Sequence, residues 1–291
     1  MKIRRYKRNP ILTPDPKLSY ERECVYNPSA VVHRNKVYLI YRAEGMYGKY
    51  ISKLCLATSS DGFHFKKYKS NPIMVPTKAE EKLGVEDPRI TKINKTYYMT
   101  YTAYERFIFP DKHFFSLSMA TSKDLIHWKK QGKIFRQQKA GYIFPEKVNG
   151  KYLMFLGEGV IRTAHSKDLK GWKLDKKIFL KPRKGFFDEK LVEVGPPFII
   201  LKDKIIMIYN SSNRLKRYQP GYLILDRQDP TKVLYRSKQS FMSPEEQFEL
   251  YGKVNNVVFV SGLIKLKNKY LLYYGGADKC VGVAEINVKK F

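Results

Sequence analysis

The sequence predicts an all-β fold, a single-domain five-bladed β-propeller, and three observations support this prediction. A unit of an apolar strand, a short polar turn and an aromatic-rich strand recurs five times along the 291 residues. A Ser-x-Asp turn followed by an aromatic residue recurs three times, and no amphipathic segment of helical length separates the copies. Radial repetition of small antiparallel sheets protects sheet edges in propellers, whereas a β-sandwich would not explain the repeat.

The strand pairs are joined by short polar turns such as Asn-Gly, Asn-Lys and Lys-Asn, which favour tight hairpins. The pairs are Ala30–His33 with Val37–Tyr41, Arg89–Ile93 with Thr96–Tyr101, Glu146–Val148 with Lys151–Phe155, Phe198–Leu201 with Lys204–Tyr209, and Gly262–Leu266 with Lys269–Tyr274. They predict blades over roughly residues 25–68, 86–132, 141–175, 191–237 and 255–291, all within one domain of residues 1–291.

The Ser-x-Asp element follows the hairpin in the first three blades. Its copies are Ser59–Phe65, Ser122–Trp128 and Ser166–Trp172, and both tryptophans of the protein occupy the aromatic position. Because Ser and Asp side chains hydrogen-bond to nearby backbone groups, the element predicts a turn that ends in a packing residue.

The charge of the chain suggests an anionic partner, but the distribution of that charge argues against nucleic acid. There are 56 Lys and Arg residues and 27 Asp and Glu residues, which give a formal net charge of +29. The basic residues are spread along the chain and form no tail or stripe, so nucleic-acid binding is disfavoured. The chain is also 43% hydrophobic and 14% aromatic, which excludes simple disorder.

Cysteine usage and the N-terminus predict a cytoplasmic protein. The three cysteines (Cys24, Cys55 and Cys280) are odd in number and form no Cys-x-x-Cys pair, as is typical of a reducing compartment. No signal peptide is visible after the basic N-terminus, and no apolar run is long enough to span a bilayer. The five histidines lack metal-like spacing, so neither a metal site nor a cofactor is indicated.

The predicted inner-strand starts carry the residues that are suited to chemistry. If the strands begin near Asn27, Asp87, Phe144, Glu193 and Val258, carboxylates, an arginine, amides and tyrosines converge at one mouth of the channel. Aromatic faces stack on sugar rings, polar groups bind sugar hydroxyls, and paired carboxylates supply an acid and a base for glycosidic cleavage. The alternative is that Glu86, Asp87 and Arg89 form a structural ion pair at a turn.

The strand starts and the hairpin returns carry a set of motifs in a fixed order. They are Asn27-Pro28-Ser29-Ala30, Tyr41-Arg42-Ala43-Glu44, Glu86-Asp87-Pro88-Arg89, Phe144-Pro145-Glu146-Lys147, Gly195-Pro196-Pro197 and Tyr274-Gly275-Gly276-Ala277-Asp278. In this order and on this repeat, the motifs resemble glycoside hydrolase family 130, the mannoside phosphorylases and β-mannosidases built on a five-bladed propeller. The resemblance runs nearly end to end.

The resemblance implies roles for individual residues. Asp87 matches the general acid of the family, which in the phosphorylases delivers its proton through a substrate hydroxyl. Asn27, Arg42 and Asp278 match positions that hold the sugar in the −1 subsite. Tyr101 and Tyr104 are expected to line the same pocket.

The fourth blade departs from the phosphorylase pattern. Phosphorylases of the family typically read Lys-x-Gly-x-Gly-Pro-Pro, then Tyr-His, and the Lys and His bind phosphate. Here Leu191, Glu193 and Asn210 stand at the Lys, first Gly and His positions. A carboxylate repels a phosphate dianion and can polarise water, as glutamates do in the hydrolase branch that the chain resembles. We therefore expect Glu193 to be the general base and Asn210 to contact substrate.

A second base candidate lies in the segment Ser243-Pro244-Glu245-Glu246. Either Glu245 or Glu246 could serve, and the alternative for both is a solvated loop. The predicted function is inverting hydrolysis of short β-mannosides, a small oligosaccharide substrate, and the β-1,2 linkage comes from the resemblance alone. A phosphorylase that releases mannose 1-phosphate and a non-enzymatic basic propeller that binds anionic polymers remain alternatives. The sequence leaves the oligomeric state open.

Overall fold

The computed structural model describes residues 1–45, 51–108 and 112–288, and these residues are mostly β-strand. The end of the predicted fifth blade, 289–291, lies outside the described residues. The helices of the described part are a 3₁₀ turn at Ala79–Glu81 and α1 (Gln247–Leu250). Neither is long and apolar enough to cross a membrane. The all-β prediction is confirmed.

The strands form five antiparallel groups in chain order, here called meanders 1 to 5. Strand β1 (Lys2–Arg5) precedes them. Meander 1 contains β2 (Cys24–His33), β3 (Lys36–Glu44), β4 (Ser52–Ser59) and β5 (Lys66–Lys67). Meander 2 contains β6 (Gly84–Ile93), β7 (Thr96–Ile108), β8 (Lys112–Ser122) and β9 (Lys129–Arg136). Meander 3 contains β10 (Tyr142–Val148) and β11 (Lys151–Leu156), and after the short β12 (Glu158–Gly159) it continues with β13 (Ile161–Ser166) and β14 (Trp172–Leu180). Meander 4 contains β15 (Leu191–Val194), β16 (Ile199–Ile200), β17 (Lys204–Ser212), β18 (Tyr218–Asp226) and β19 (Val233–Arg236). Meander 5 contains β20 (Val258–Leu266), β21 (Lys269–Gly276) and β22 (Cys280–Asn287).

Among the named strands of the described residues, three pairings connect one meander to another part of the chain. Strand β1 pairs antiparallel with β22, so the N-terminus supplies the fourth strand of meander 5. A single parallel pair, Ser52 with Gly84, joins meanders 1 and 2. Strand β12 leaves meander 3 and pairs with β15 of meander 4. Each of these links reduces the number of unpaired edges.

Five hydrophobic clusters pack the meanders in a closed series, each between two neighbours. Representative pairs are Leu54 and Met99 for meanders 1 and 2, Leu117 and Met154 for 2 and 3, Phe155 and Val192 for 3 and 4, Ile208 and Val260 for 4 and 5, and Tyr273 and Leu39 for 5 and 1. Every meander is therefore apolar on both faces, and the last cluster joins the end of the chain to its beginning.

The Ser-x-Asp element forms the same turn in all three copies. In the first, the Gly62 N–H donates to Ser59 Oγ, and the N–H groups of Phe63 and His64 donate to Asp61 Oδ1. The copies that begin at Ser122 and Ser166 repeat these bonds. The turn predicted from Ser and Asp is confirmed.

A buried tyrosine–carboxylate pair recurs in four meanders. The tyrosine is the fifth residue after the start of the second long strand, and its hydroxyl donates to a fully buried carboxylate that also binds a basic side chain. The sets are Tyr41 with Glu21 and Lys67, Tyr101 with Glu81 and Lys130, Tyr209 with Asp188 and Arg236, and Tyr274 with Glu249 and Arg5. In meander 3 this position is Leu156, which cannot donate.

We expect Asp188→Ala to destabilise the protein by about 3 kcal/mol, because removing one partner of a buried ion pair leaves the others uncompensated. Asp188 binds Arg183 and Arg236 and accepts the Tyr209 hydroxyl. Urea unfolding measures the loss. Asp203→Ala is the matched control, because Asp203 is exposed and pairs only with its neighbour Lys204. Equal stability of the two variants would contradict the structural role of the buried carboxylate.

Candidate functional site

The strand register places one residue of each meander at an equivalent position. We define this position by pairing: it is the residue that lies opposite the sixth residue after the start of the second long strand. The opposed pairs are Arg42 with Tyr26, Thr102 with Glu86, Asn210 with Glu193 and Gly275 with Phe259. In meander 3 the sixth residue is Gly157, whose N–H donates to the Lys139 carbonyl at 2.9 Å. We call Tyr26, Glu86, Lys139, Glu193 and Phe259 the site positions.

Three of the site positions line a single cavity of about 140 Å³. Five residues that the sequence singled out meet there: Asn27, Arg42, Asp87, Glu193 and Asp278. Lys139, Glu158 and Tyr218 add further polar groups, and the remaining lining residues are apolar. The cavity therefore joins side chains from all five meanders or the segments that flank them.

A backbone bulge turns Asn27 and Asp87 toward the cavity. Each follows a site position, and the pairing of the first strand is interrupted there, between Tyr26 and Ser29 in meander 1. Asn27 and Asp87 have φ of 45° and 49°, a left-handed conformation that Asn and Asp adopt more readily than most residues. The Asn27 amide then donates to Asp87 Oδ1 at 2.9 Å.

Arg42 is surrounded by carboxylates. Its guanidinium lies 2.7 Å from Glu44, 2.8 Å from Glu86 and 3.5 Å from Asp87. Burial opposes ionisation of Asp87, but Arg42, with smaller contributions from Lys139 and Arg89, holds the pKa of Asp87 below its usual value. Burial raises the pKa of Glu86, and the negative charge of Asp87 adds to the rise while Arg42 opposes it. The surroundings therefore favour a carboxylate at Asp87 and shift Glu86 toward its neutral form.

Glu193 is buried and incompletely bonded. Its side chain is 2% exposed, and Oε1 has no hydrogen-bond partner among the described residues; the nearest cation is the Arg89 guanidinium at 3.9 Å. Burial raises the pKa of Glu193 to about 8; Glu158 and Asp87 also raise it, while Lys139 and Arg89 offset part of the rise. Because a buried polar atom without a partner is uncommon, Oε1 is free to bind a water or a ligand.

The pKa of Asp278, the other cavity carboxyl that the sequence singled out, is also raised. Burial raises the pKa of Asp278 to about 6, with Asp87 adding repulsion and Arg42 opposing it. At neutral pH the unliganded cavity thus holds Asp87 as a carboxylate and Glu193 as a neutral carboxyl. Within the described part of the chain, no group of three His, Cys, Asp or Glu side chains is arranged to hold a metal.

Four residues that the sequence assigned to the site lie outside the cavity lining. Tyr101 donates to Glu81 within the repeated tyrosine–carboxylate set, and the Tyr104 hydroxyl bonds His113 at 2.6 Å. The amide of Asn210 exchanges two 2.8 Å hydrogen bonds with the backbone of Val260, so it links meanders 4 and 5. Glu245 is 66% exposed and pairs with Arg5. Each of these side chains is engaged in holding the fold or lies at the surface.

Lys139, Glu158 and Tyr218 are cavity residues to which the sequence assigned no role. The third inner strand was predicted to start near Phe144, five residues after Lys139. Counting six residues along each second strand would have identified Gly157, which lies opposite Lys139. Glu158 follows directly and pairs with Glu193 across β12 and β15. No comparable pattern in the sequence identifies Tyr218.

Comparison with known proteins agrees with the fold and the site. The profile of the glycoside hydrolase 130 family, described as beta-1,4-mannooligosaccharide phosphorylase, matches residues 4–291. A 1,2-beta-oligomannan phosphorylase from Thermoanaerobacter sp. (strain X514) is 38% identical over 99% of this chain and 98% of its own length. A beta-1,2-mannobiose phosphorylase from the same organism is 37% identical over 99% and 98%.

A solved structure is similar to this chain in fold. It is described as showing that the GH130 family of mannoside phosphorylases contains glycoside hydrolases that target beta-1,2 mannosidic linkages in Candida mannan. It is 33% identical, covers 99% of this chain and 94% of its own, and superposes with a TM-score of 0.90. These relatives are enzymes, so a non-enzymatic propeller is no longer an alternative. The chain belongs to glycoside hydrolase family 130, whose members act on mannosides.

Proposed function

We propose that this enzyme hydrolyses β-1,2-linked mannosides with inversion at the anomeric carbon. In this proposal the five meanders are the blades of one five-bladed propeller domain, and the cavity is the −1 subsite. The observation that carries it is Glu193, whose buried Oε1 has no partner in the described part of the chain and whose carboxyl shares the cavity with Asp87. Inverting glycosidases need two carboxyls with room between them for water.

The charges that line the cavity support water over phosphate as the nucleophile. Four carboxyl residues (Asp87, Glu158, Glu193 and Asp278) line it, against the two cations Arg42 and Lys139. Arg42 is bound by Glu44 and Glu86, and Lys139 by Glu158. A phosphate dianion would therefore enter a cavity with an excess of acidic groups and no uncommitted cation in its described lining, which is electrostatically unfavourable.

In the proposed mechanism Asp87 supplies the proton for the leaving oxygen and Glu193 removes a proton from water. The reactive form thus needs a protonated Asp87 and an ionised Glu193. Before substrate binds, the Asp87–Glu193 pair holds the same total of one proton in the opposite arrangement, since the pKa of Asp87 is lowered and that of Glu193 is about 8. Transfer of that proton within the pair, as substrate displaces water from the cavity, produces the reactive form without a change in net charge.

Phosphorolysis is the second candidate. The two curated relatives are named phosphorylases, and Lys139 brings a cation to the side of Glu193. In that reaction phosphate, instead of water, attacks the anomeric carbon and the product is mannose 1-phosphate. For this to operate, Lys139 would have to leave Glu158 to bind phosphate, and Glu193 would have to remain neutral.

Product analysis separates the two reactions. The enzyme is incubated with β-1,2-mannobiose, with and without inorganic phosphate, and with β-1,4-mannobiose as the linkage control. We expect mannose at a rate that is independent of phosphate, with the α-anomer appearing first in proton NMR spectra. Mannose 1-phosphate formed only in the presence of phosphate would establish phosphorolysis, and an initial β-anomer would contradict inversion.

A further inference from the structure

Lys139 occupies the site position of meander 3, where the other meanders carry Tyr26, Glu86, Glu193 and Phe259. The position thus accepts an aromatic or an acidic side chain, and strand pairing there uses the backbone, as the bond from Gly157 N–H to the Lys139 carbonyl illustrates. The pairing of the strand does not require a lysine. Its cation is the feature that needs an explanation.

The ammonium group of Lys139 lies beside two glutamates. Its Nζ is 3.2 Å from Glu158 Oε1. Glu158 is opposite Glu193 in the register of β12 and β15, so the two carboxyls belong to directly paired residues. Although burial opposes its charge, Glu158 and then Glu193 raise the pKa of Lys139, which therefore stays cationic.

The position of β12 indicates that Lys139 and Glu158 act on Glu193. The strand has two residues and leaves meander 3 between β11 and β13, and its partner among the described strands is β15. This excursion brings Glu158 to the strand of Glu193, while Lys139 reaches the same cavity from the start of the meander. Strand β12 thus places an anion, and the start of the meander a cation, next to a carboxyl with one oxygen that has no partner among the described residues.

We propose that Lys139 and Glu158 are a pair of positioning residues that act in opposite directions on Glu193, Lys139 favouring its carboxylate form and Glu158 its neutral form. The proposal rests on the proposed function, in which Glu193 must alternate between these forms. Neither residue needs to touch substrate. Together they keep Glu193 able to take a proton from water and to release it afterwards.

Other groups face Glu193 and set the background on which this pair acts. Arg89 and Asp87 approach from β6, the first favouring the carboxylate and the second opposing it. Burial raises the pKa of Tyr218 in β18 to about 12, with Glu158 and Glu193 adding to the rise, so this phenol stays neutral. Asn210 lies opposite in β17, but its amide is bound to Val260. Apart from Asp87, Arg89 and Tyr218, the described ionisable neighbours of Glu193 are therefore Lys139 and Glu158.

The test measures the titration of Glu193 directly in the unliganded enzyme. Infrared spectra across a pH series follow the carbonyl band of buried neutral carboxyls, and the band that is lost in Glu193→Gln is assigned to Glu193. The midpoint is the pH at which half of the intensity of this band is lost. We expect Lys139→Met to raise this midpoint and Glu158→Gln to lower it, each by about 1 to 3 pH units. Lys139→Arg retains the cation and should keep a midpoint near that of the wild type.

Lys151→Met is the matched control, because Lys151 is exposed at the start of β11 and lies outside the cavity. It should leave the midpoint unchanged. Shifts of both test variants in one direction, or no shift in either, would overturn the inference, since a merely structural pair would not produce opposite effects. If Lys139→Met does not fold, Glu158→Gln and Lys139→Arg still decide the question.

The same variants separate this inference from the proposed function. The pH profile of mannobiose hydrolysis should move with the infrared midpoint in each variant. Opposite infrared shifts without any mannoside hydrolysis would refute the proposed function and leave the roles of Lys139 and Glu158 intact. Hydrolysis with unshifted midpoints would refute the roles of Lys139 and Glu158 and leave the proposed function intact.

Discussion

Glu193→Gln is expected to reduce the kcat for β-1,2-mannobiose hydrolysis by about 10²- to 10⁴-fold, the usual contribution of a general base. Glutamine has nearly the same shape as glutamate but cannot accept a proton from water. The carboxyl sits on the interior strand β15 with one oxygen unpartnered, so its loss affects the nucleophile more than the sugar. KM should therefore change much less than kcat, and steady-state kinetics with mannose detection measures both.

Glu146→Gln is the matched control for this variant. Glu146 is on β10, is 46% exposed and pairs with Arg227 on the surface, so its replacement should leave kcat near the wild-type value.

Glu193→Ala with added azide extends the test, because azide can attack the anomeric carbon without a base and form an α-mannosyl azide. A wild-type kcat in Glu193→Gln would remove Glu193 from the mechanism.

The sequence predicted the cavity best where the backbone is unusual. Asn27 and Asp87 sit at bulges with positive φ, where Asn and Asp are favoured, and Glu193 replaces a glycine of the related motif. In each case the residue type is hard to explain by packing alone. The all-β prediction succeeded because hairpins and Ser-x-Asp turns have local signals that repeat.

The predicted site residues that lie outside the cavity lining, and the cavity residues that were missed, depend on contacts across the fold. Tyr101 and Asn210 are polar and follow the strand pattern as a sugar-binding residue would, but their partners, Glu81 and the Val260 backbone, are distant in sequence. Lys139 and Glu158 lacked any motif, since their importance arises from register and from β12 crossing to the next meander. Sequence spacing alone does not reveal which of several polar residues faces the cavity.

Asp87→Asn is expected to reduce hydrolysis of mannobiose by about 10²- to 10⁴-fold, because a sugar leaving group needs a proton from the general acid. The loss should be much smaller with 2,4-dinitrophenyl β-mannoside, whose phenolate leaves without protonation. Asp203→Asn, a substitution of an exposed turn residue, is the matched control and should leave both rates unchanged. The measurement is kcat for both substrates in each variant.

The comparison of Asp87→Asn with Glu193→Gln assigns the acid and the base. A base is needed whatever the leaving group, so Glu193→Gln should lose activity on the aryl mannoside and on mannobiose to a similar extent. The opposite pattern, with the aryl substrate spared by Glu193→Gln, would make Glu193 the acid. That outcome would match the ionisation of the unliganded cavity, where Glu193 holds the proton and Asp87 is a carboxylate beside Arg42. The two substrates therefore test whether the proton moves within the pair before the bond breaks, as the proposed mechanism requires.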